Sequence, residues 1–301
     1  MEVTALVLLV LGVLLAEPVS RGLAAAHWPS RDPVGGLLLW QAVGLAGGLS
    51  LLGSGIVFGL APFGSSLPAA VTGVAGAIRT GTWPPGFDLL HGAALVVALL
   101  IGLRLVGVLG TVTVRTLRAR ARHRDLLDLL GTPWPAAPHA RVLDHPLPVA
   151  YCLPGLRSRL VVSAGVLDTL DPAQVRAVLA HENAHLKERH DLVVLPFVAW
   201  GATAPFVRGM VCAQVAVAAL VEMRADDVAA NRAAPAELTA ALGSMGHATP
   251  AAALSSFTTA LDRRLARIAD PPAPLPAAVQ LGVRLAAVAL VAVPTALLLV
   301  P

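Results

Sequence analysis

Four long runs of apolar residues mark this chain, and each is long enough to form a helix that crosses a lipid bilayer. Such a helix needs about 20 mostly apolar residues. The runs cover residues 3–23, 34–62, 89–113 and 277–301. The pattern predicts a mainly α-helical membrane protein with about four transmembrane helices. The first run could also be a signal peptide, but no basic residue precedes it, so a retained helix is favoured.

Charged residues concentrate between the third and the fourth run. The chain therefore divides into a three-helix membrane region (1–113), a polar domain (114–276) and a C-terminal transmembrane helix (277–301). Within the polar domain, residues 147–152 and 159–163 resemble short strands, because β-branched residues are flanked there by turn residues. The first part of this domain is predicted to be an α/β structure.

A well-marked helix start follows the predicted strands. Asp171 is a good N-cap, Pro172 suits the first helical position, and Gln174 has the spacing of a capping box. The three residues predict a helix that begins at Pro172 and continues into the next motif.

This helix carries the sequence His181-Glu182-Asn183-Ala184-His185. Two histidines four residues apart share one face of a helix, so their ring nitrogens can bind one zinc ion. The adjacent glutamate can act as the general base toward an attacking water. The alternative is a surface helix that carries two histidines by chance. The position of the motif, inside a capped helix, favours the metal site.

A catalytic zinc normally has three protein ligands, and three candidates follow the motif. Asp191 is disfavoured, because Glu188 stands where the chain would need a glycine to turn back to the metal. His190 would point away from the metal on a continuing helix, so a surface role is expected. Glu222 is the best candidate.

Glu222 lies on a second predicted helix, residues 207–231. Asp226 is one turn further along the same face, where it could accept a hydrogen bond from a ligand histidine and fix its tautomer. The alternative is that these acids only form the charged end of an apolar helix. Spacing alone favours neither interpretation.

The segment between these two helices must turn back if Glu222 is to reach the histidines. Residues 192–221 are mostly apolar, and one membrane crossing would place Glu222 opposite His181. Two crossings would need about 40 residues. The segment is therefore predicted to turn back near residues 201–205, as a membrane-embedded hairpin or as buried protein core.

Composition and charge support a membrane protein and exclude some functions. Hydrophobic residues make up 56% of the 301 residues and charged residues only 13%, whereas about a quarter is usual in soluble domains. The net charge of +4 has no stripe of basic and aromatic residues, so direct binding to nucleic acid is not expected. The two cysteines, Cys152 and Cys212, suggest neither a disulfide framework nor a metal site.

Arginine placement predicts the orientation. Arginines cluster after the third run, and loops rich in Arg normally stay in the cytoplasm. The prediction is an N-terminus outside, the polar domain in the cytoplasm and the C-terminus outside. Arg104 falls inside a run and is assigned to snorkelling. Arg263, Arg264 and Arg267 are expected to face anionic lipid, with substrate contact as the alternative. Strand 159–163 is expected to pair with an extended substrate.

The motifs together resemble the gluzincin membrane peptidases, and most closely the bacterial beta-lactam sensor and antirepressor family of BlaR/MecR type. The stretches that carry the resemblance are residues 31–33, 39–42, 148–152, 161–163, 177–186 and 222–227. The family's sensor members carry a penicillin-binding domain after the last helix. No Ser-x-x-Lys sensor region is present here, so the chain resembles a short form in which direct beta-lactam sensing is not expected.

The resemblance implies a zincin-like domain with Zn²⁺ bound by His181, His185 and Glu222, and with Glu182 as base. It also implies an active site on the cytoplasmic side of the cell membrane. The expected partners are the lipid bilayer and a protein substrate, with a cytoplasmic transcriptional repressor as a candidate. The alternative is a non-catalytic membrane scaffold or signal transducer with a degenerate metal site.

Overall fold

The protein is described here by a computed structural model that covers residues 1–135, 137, 140–155, 158–246 and 254–299. The α-helices are α1 Glu2–Leu14, α2 Ser20–Ala25, α3 Pro33–Leu60, α4 Leu67–Thr80, α5 Leu89–Leu130, α6 Ala164–Thr169, α7 Pro172–Lys187, α8 His190–Thr203, α9 Arg208–Ala230, α10 Pro235–Gly246, α11 Leu254–Ala269 and α12 Ala277–Leu299. The strands are β1 Thr132–Pro133, β2 Ala140–Leu143, β3 Ala150–Leu153 and β4 Arg159–Ser163.

Among the described residues, four helical segments are long and apolar enough to cross a membrane: Glu2–Ala25, Pro33–Phe63, Leu89–Leu130 and Ala277–Leu299. They coincide with the four apolar runs of the sequence. Helix α3 packs against α1, α5 and α12. Only 6% of the apolar part of α5 and of α12 is buried within the protein, so most of their apolar surface faces outward, as in helices that cross a membrane.

Helix α5 joins the membrane region to the polar domain without a break. It runs for 42 residues, across position 113 where the sequence pattern places the domain boundary. Its final turns carry the arginine cluster, and its last buried residue, Leu127, packs against the sheet through Leu153 and Val161. The third membrane helix and the polar domain are therefore directly connected.

The sheet has the strand order β1-β2-β4-β3, with β2 parallel to β4 and the other pairs antiparallel. The prediction that residues 159–163 form a substrate-binding edge strand is wrong, because β4 lies between β2 and β3. Strand β3 lies at the edge of the described sheet instead. Strands β1 and β2 were not predicted, since they are short and their register depends on pairing, of β2 with β4 and of β1 with β2.

Helix α7 begins with the predicted capping box, in which Asp171 accepts hydrogen bonds from the amides of Ala173 and Gln174, and the Gln174 side chain accepts from the amide of Asp171. The helix ends before Arg189, whose φ of 50° is left-handed. Such a backbone costs on the order of 1–3 kcal/mol for a residue other than glycine. The left-handed conformation of Arg189 turns the chain sharply into α8.

The apolar segment after α8 turns back, because α8 ends at Thr203 and α9 begins at Arg208. The two helices form a hairpin that packs against α3 through Trp40, Phe197 and Val217, all almost fully buried. The hairpin therefore returns the chain to the side on which it started, and the condition set by the sequence is met.

Two side chains from the membrane helices cap the tip of this hairpin. The Arg104 Nε atom donates to the Thr203 carbonyl at the end of α8 (3.1 Å), and the Gly209 amide at the start of α9 donates to the Glu17 carboxylate (2.8 Å). These backbone groups have no partner inside their own helices. A Cβ at position 209 would collide with the main chain of Ala16 and Glu17, so glycine is required there. Arg104 thus has a specific partner that snorkelling did not predict.

We expect Glu17→Ala to destabilise the hairpin, because it leaves the Gly209 amide without its acceptor, at a cost of about 1–3 kcal/mol. Thermal unfolding of the detergent-solubilised protein should show a lower Tm. Asp168→Ala on α6 is the control, since Asp168 is an exposed acid. Equal Tm values for the two variants would show that the Glu17 contact does not stabilise the hairpin.

Candidate metal centre

Three donor atoms from two helices converge at one point. The Nε2 atom of His181 lies 3.2 Å from Nε2 of His185. The Glu222 carboxylate lies 3.4 Å from the first of these nitrogens and 3.6 Å from the second. The three residues form the one group of the described chain whose side chains could hold a metal ion. The structure thus brings together the three residues that the sequence proposed as ligands.

The spacing of these atoms fits a tetrahedral zinc. Zinc binds imidazole nitrogen and carboxylate oxygen at about 2.0–2.2 Å, so neighbouring ligand atoms of a tetrahedron are separated by about 3.3–3.6 Å. The observed separations of 3.2–3.6 Å fall close to this range, with Oε2 of Glu222 measured against His181 and Oε1 against His185. Two histidines and one glutamate are also a known catalytic ligand set that leaves one position open. These residues would hold zinc.

Close packing of α7 against α9 aligns the three side chains. Ala177 and Ala180 on α7 contact Ala229 on α9, and all three are buried. Small residues let two helix backbones approach closely. The histidines then face Glu222 across the contact, because they share one face of α7.

Asp226 stands behind the first histidine, as the spacing suggested. Its Oδ1 atom is 3.0 Å from Nδ1 of His181, although this contact is not aligned as a regular hydrogen bond. Arg264 of α11 donates two hydrogen bonds of 2.8 Å to Asp226. Its Nη1 atom also lies 2.9 Å from the Glu222 carboxylate. One arginine therefore fixes both acids.

These contacts keep both carboxylates ionised. Burial raises the pKa of Glu222, but the hydrogen bond from His181 and the charge of Arg264 outweigh it and lower the pKa to about 2. Burial likewise opposes ionisation of Asp226, and the hydrogen bonds from Arg264 together with the close contact of His181 lower its pKa to about 2. Two negative charges at neutral pH favour a cation between α7 and α9.

The two histidines differ in the metal-free protein. Burial lowers the pKa of His181, but its close contacts with the carboxylates of Asp226 and Glu222 outweigh it and raise the pKa to about 9. Burial lowers the pKa of His185 to about 4, against the attraction of Glu222. His181 thus carries the proton that a bound metal has to displace.

Glu182 lies next to the cluster and is partly buried. Burial raises the pKa of its carboxyl group, against the charge of His181, and Glu222 raises it further. A carboxylate with a raised pKa is a stronger base. The side chain and main chain of Cys152 on β3 lie against it, and burial beside Glu182 raises the pKa of that thiol to about 12. Cys152, which the sequence assigned no function, therefore remains protonated.

The expectation for His190 is wrong. The residue is 3% exposed, and its Nδ1 atom lies 3.0 Å from Nδ1 of His185. The expectation assumed a continuing helix, whereas the left-handed Arg189 folds the chain back. Asp191 is not among the converging donors and pairs with Arg120 at 2.8 Å.

The expectation that the arginines of α11 face lipid is also wrong for two of them. Arg264 binds Asp226 and Glu222, while Arg267 lies 2.6 Å from Asp227. The sequence offered one signal for this pairing: two arginines one helical turn apart on α11 and two adjacent aspartates on α9. Only the packing of α11 on α9 decides that the charges pair.

We expect Arg264→Gln to lower both Tm and zinc affinity, because it leaves buried Asp226 without its bidentate partner. Breaking such a buried pair typically costs about 3–5 kcal/mol. Thermal unfolding and zinc titration of the purified protein measure the two effects. The exposed neighbour Arg263 supplies the control, Arg263→Gln. Similar values for both variants would contradict the assigned role of Arg264.

Comparison with known proteins agrees with this geometry. Residues 115–245 match the model of peptidase family M48, and this region contains the three converging residues, Glu182 and Asp226. No curated protein and no solved structure is significantly similar to the chain. The BlaR/MecR type is not confirmed by the match. The polar domain is therefore similar to the zinc metallopeptidases of family M48, which supports a metallopeptidase.

Proposed function

We propose that this chain is an integral-membrane zinc endopeptidase that cleaves a protein substrate. The observation that carries the proposal is the convergence of His181, His185 and Glu222 within 3.2–3.6 Å, with Glu182 beside them. The four candidate membrane helices and the similarity of residues 115–245 to family M48 support it.

Each side chain of the site has a defined role in peptide hydrolysis. Zinc held by the two histidines and Glu222 would supply a Lewis acid that polarises the scissile carbonyl and makes a water more acidic. Glu182 takes the proton from the attacking water and passes it to the leaving amine. Asp226 holds the His181 ring with its Nε2 atom toward the metal position.

The structure offers a place for an extended substrate beside the site. Among the described strands none pairs with the outer edge of β3, whose Cys152 lies against Glu182. A peptide can add to such an edge through main-chain hydrogen bonds. A cavity of about 280 Å³ between β3, α8 and α9 adjoins His185 and Glu222 and can accept a side chain of that peptide.

The orientation and the biological role are further parts of the proposal. The arginines at the end of α5 support a cytoplasmic active site. The resemblance to the BlaR/MecR type suggests regulatory signalling, in which the substrate is a cytoplasmic transcriptional repressor. The competing function is a non-catalytic membrane scaffold or signal transducer, and the intact set of ligands and base argues against it.

The purified protein should contain one zinc per chain. We expect His185→Ala to lose the metal, because two donors remain, and Glu182→Gln to retain it while losing cleavage of an unfolded protein such as casein. Metal analysis and proteolysis assays measure this, with Glu237→Gln on α10 as the matched control for both. A wild-type protein without zinc would support the scaffold, and a Glu182→Gln variant that still cleaves would refute the role of the base.

Labelling with a membrane-impermeant maleimide tests the orientation. We expect the reagent to label Ser65→Cys in intact cells, but Ser244→Cys only after permeabilisation, because the loop before α4 faces outside and α10 faces the cytoplasm. Both serines are exposed. The wild-type protein is labelled in parallel to measure the background from the two native cysteines. The reverse pattern would place the active site outside.

A further inference from the structure

The turn between α7 and α8 places a second histidine behind a metal-ligand candidate. Arg189 is the one non-glycine residue with positive φ among the described residues. Because of this turn, α8 starts close to the end of α7, and His190 is buried against His185 with the ring centroids 4.8 Å apart. The mechanism proposed above does not use His190.

A continuous series of polar contacts leads away from His185. Its Nδ1 atom lies 3.0 Å from Nδ1 of His190. The Nε2 atom of His190 lies 3.3 Å from the Glu188 carboxylate. Arg224 on α9 then donates two hydrogen bonds, of 2.9 and 2.7 Å, to that carboxylate. Each step of this series, from His185 to His190, Glu188 and Arg224, leads further from the metal position.

The chemistry of neutral imidazole gives these contacts one direction. If Nε2 of His185 offers its lone pair to a metal, the ring proton is on Nδ1. That N–H must donate to Nδ1 of His190, which places the His190 proton on Nε2. The second N–H then donates to Glu188, a carboxylate that only accepts. Arg224, which only donates, holds Glu188 in place.

We infer that His190, anchored by Glu188 and Arg224, is a positioning residue that fixes the tautomer and orientation of His185 for metal binding. The inference rests on the proposed function, since it assumes that the site binds zinc. His190 is not one of the three converging donors, and it acts through the ligand histidine that it contacts.

The other ligand candidate has support of the same kind. Asp226, held by Arg264, stands behind His181, and His190 with Glu188 and Arg224 stands behind His185. Helix α9 contributes Asp226 and Arg224 as well as Glu222. One member of each supporting group therefore lies on the helix that supplies the third donor, and partners of this kind typically change metal affinity about 10–100-fold.

A merely structural role for His190 predicts a different result, so the test compares substitutions with different hydrogen-bonding ability. His190→Phe keeps an aromatic ring but cannot accept from His185. His190→Asn offers an amide oxygen near the position of Nδ1. Asp191→Asn is the matched control, because it disturbs the Arg120 pair at the same turn without touching His185.

The full-length protein in detergent is freed of metal with a chelator and titrated with Zn²⁺ against a competing dye. We expect His190→Phe to bind zinc about 10–100-fold more weakly than the wild type, and His190→Asn to recover most of this loss. Asp191→Asn should bind like the wild type. The visible spectrum of the Co²⁺-loaded protein should change in His190→Phe and return toward the wild type in His190→Asn.

Wild-type affinity and an unchanged cobalt spectrum in His190→Phe would overturn the inference, and so would an Asn variant as weak as the Phe variant. If His190→Phe does not fold, Arg224→Gln decides. We expect weaker zinc binding there with an unchanged metal-free Tm, and wild-type binding overturns the inference. A wild-type protein that binds no zinc contradicts the proposed function itself, which separates the two failures.

Discussion

The site depends on one constraint, the return of the apolar segment between its ligands. His181 and Glu222 are 41 positions apart, and the segment between them is apolar enough to enter a membrane. The α8–α9 hairpin resolves this, since it packs against α3 through Trp40, Phe197 and Val217 and leads back to α7. Without that return, no packing of α7 could supply a third donor.

The turn of the hairpin leaves backbone donors and acceptors without partners inside their own helices. Glu17 and Arg104 satisfy one of each at the hairpin tip, from two different membrane helices. Both apolar segments therefore contact the hairpin that carries Glu222.

Charge balance explains why so many ionisable groups can be buried together. Glu222 and Asp226 share Arg264, and Asp191 has Arg120. A buried charge without a partner is costly, whereas these pairs keep the acids ionised beside the histidines. The same arginines fix the directions of the carboxylates, so the donor atoms have few alternative positions.

The sequence by itself determined the elements that depend on local interactions. The apolar runs gave four helices because spanning length and composition are local properties, and Asp171 with Gln174 gave the start of α7 through a capping box. The i, i+4 spacing of His181 and His185 determined that they share a face. Only the tertiary structure decided what lies behind that face. The left-handed Arg189 turned His190 inward, the packing of α11 brought Arg264 to Asp226, and pairing placed β4 inside the sheet and β3 at its edge. These features depend on contacts between distant segments, and a residue pattern within one segment carries no information on which partner it meets.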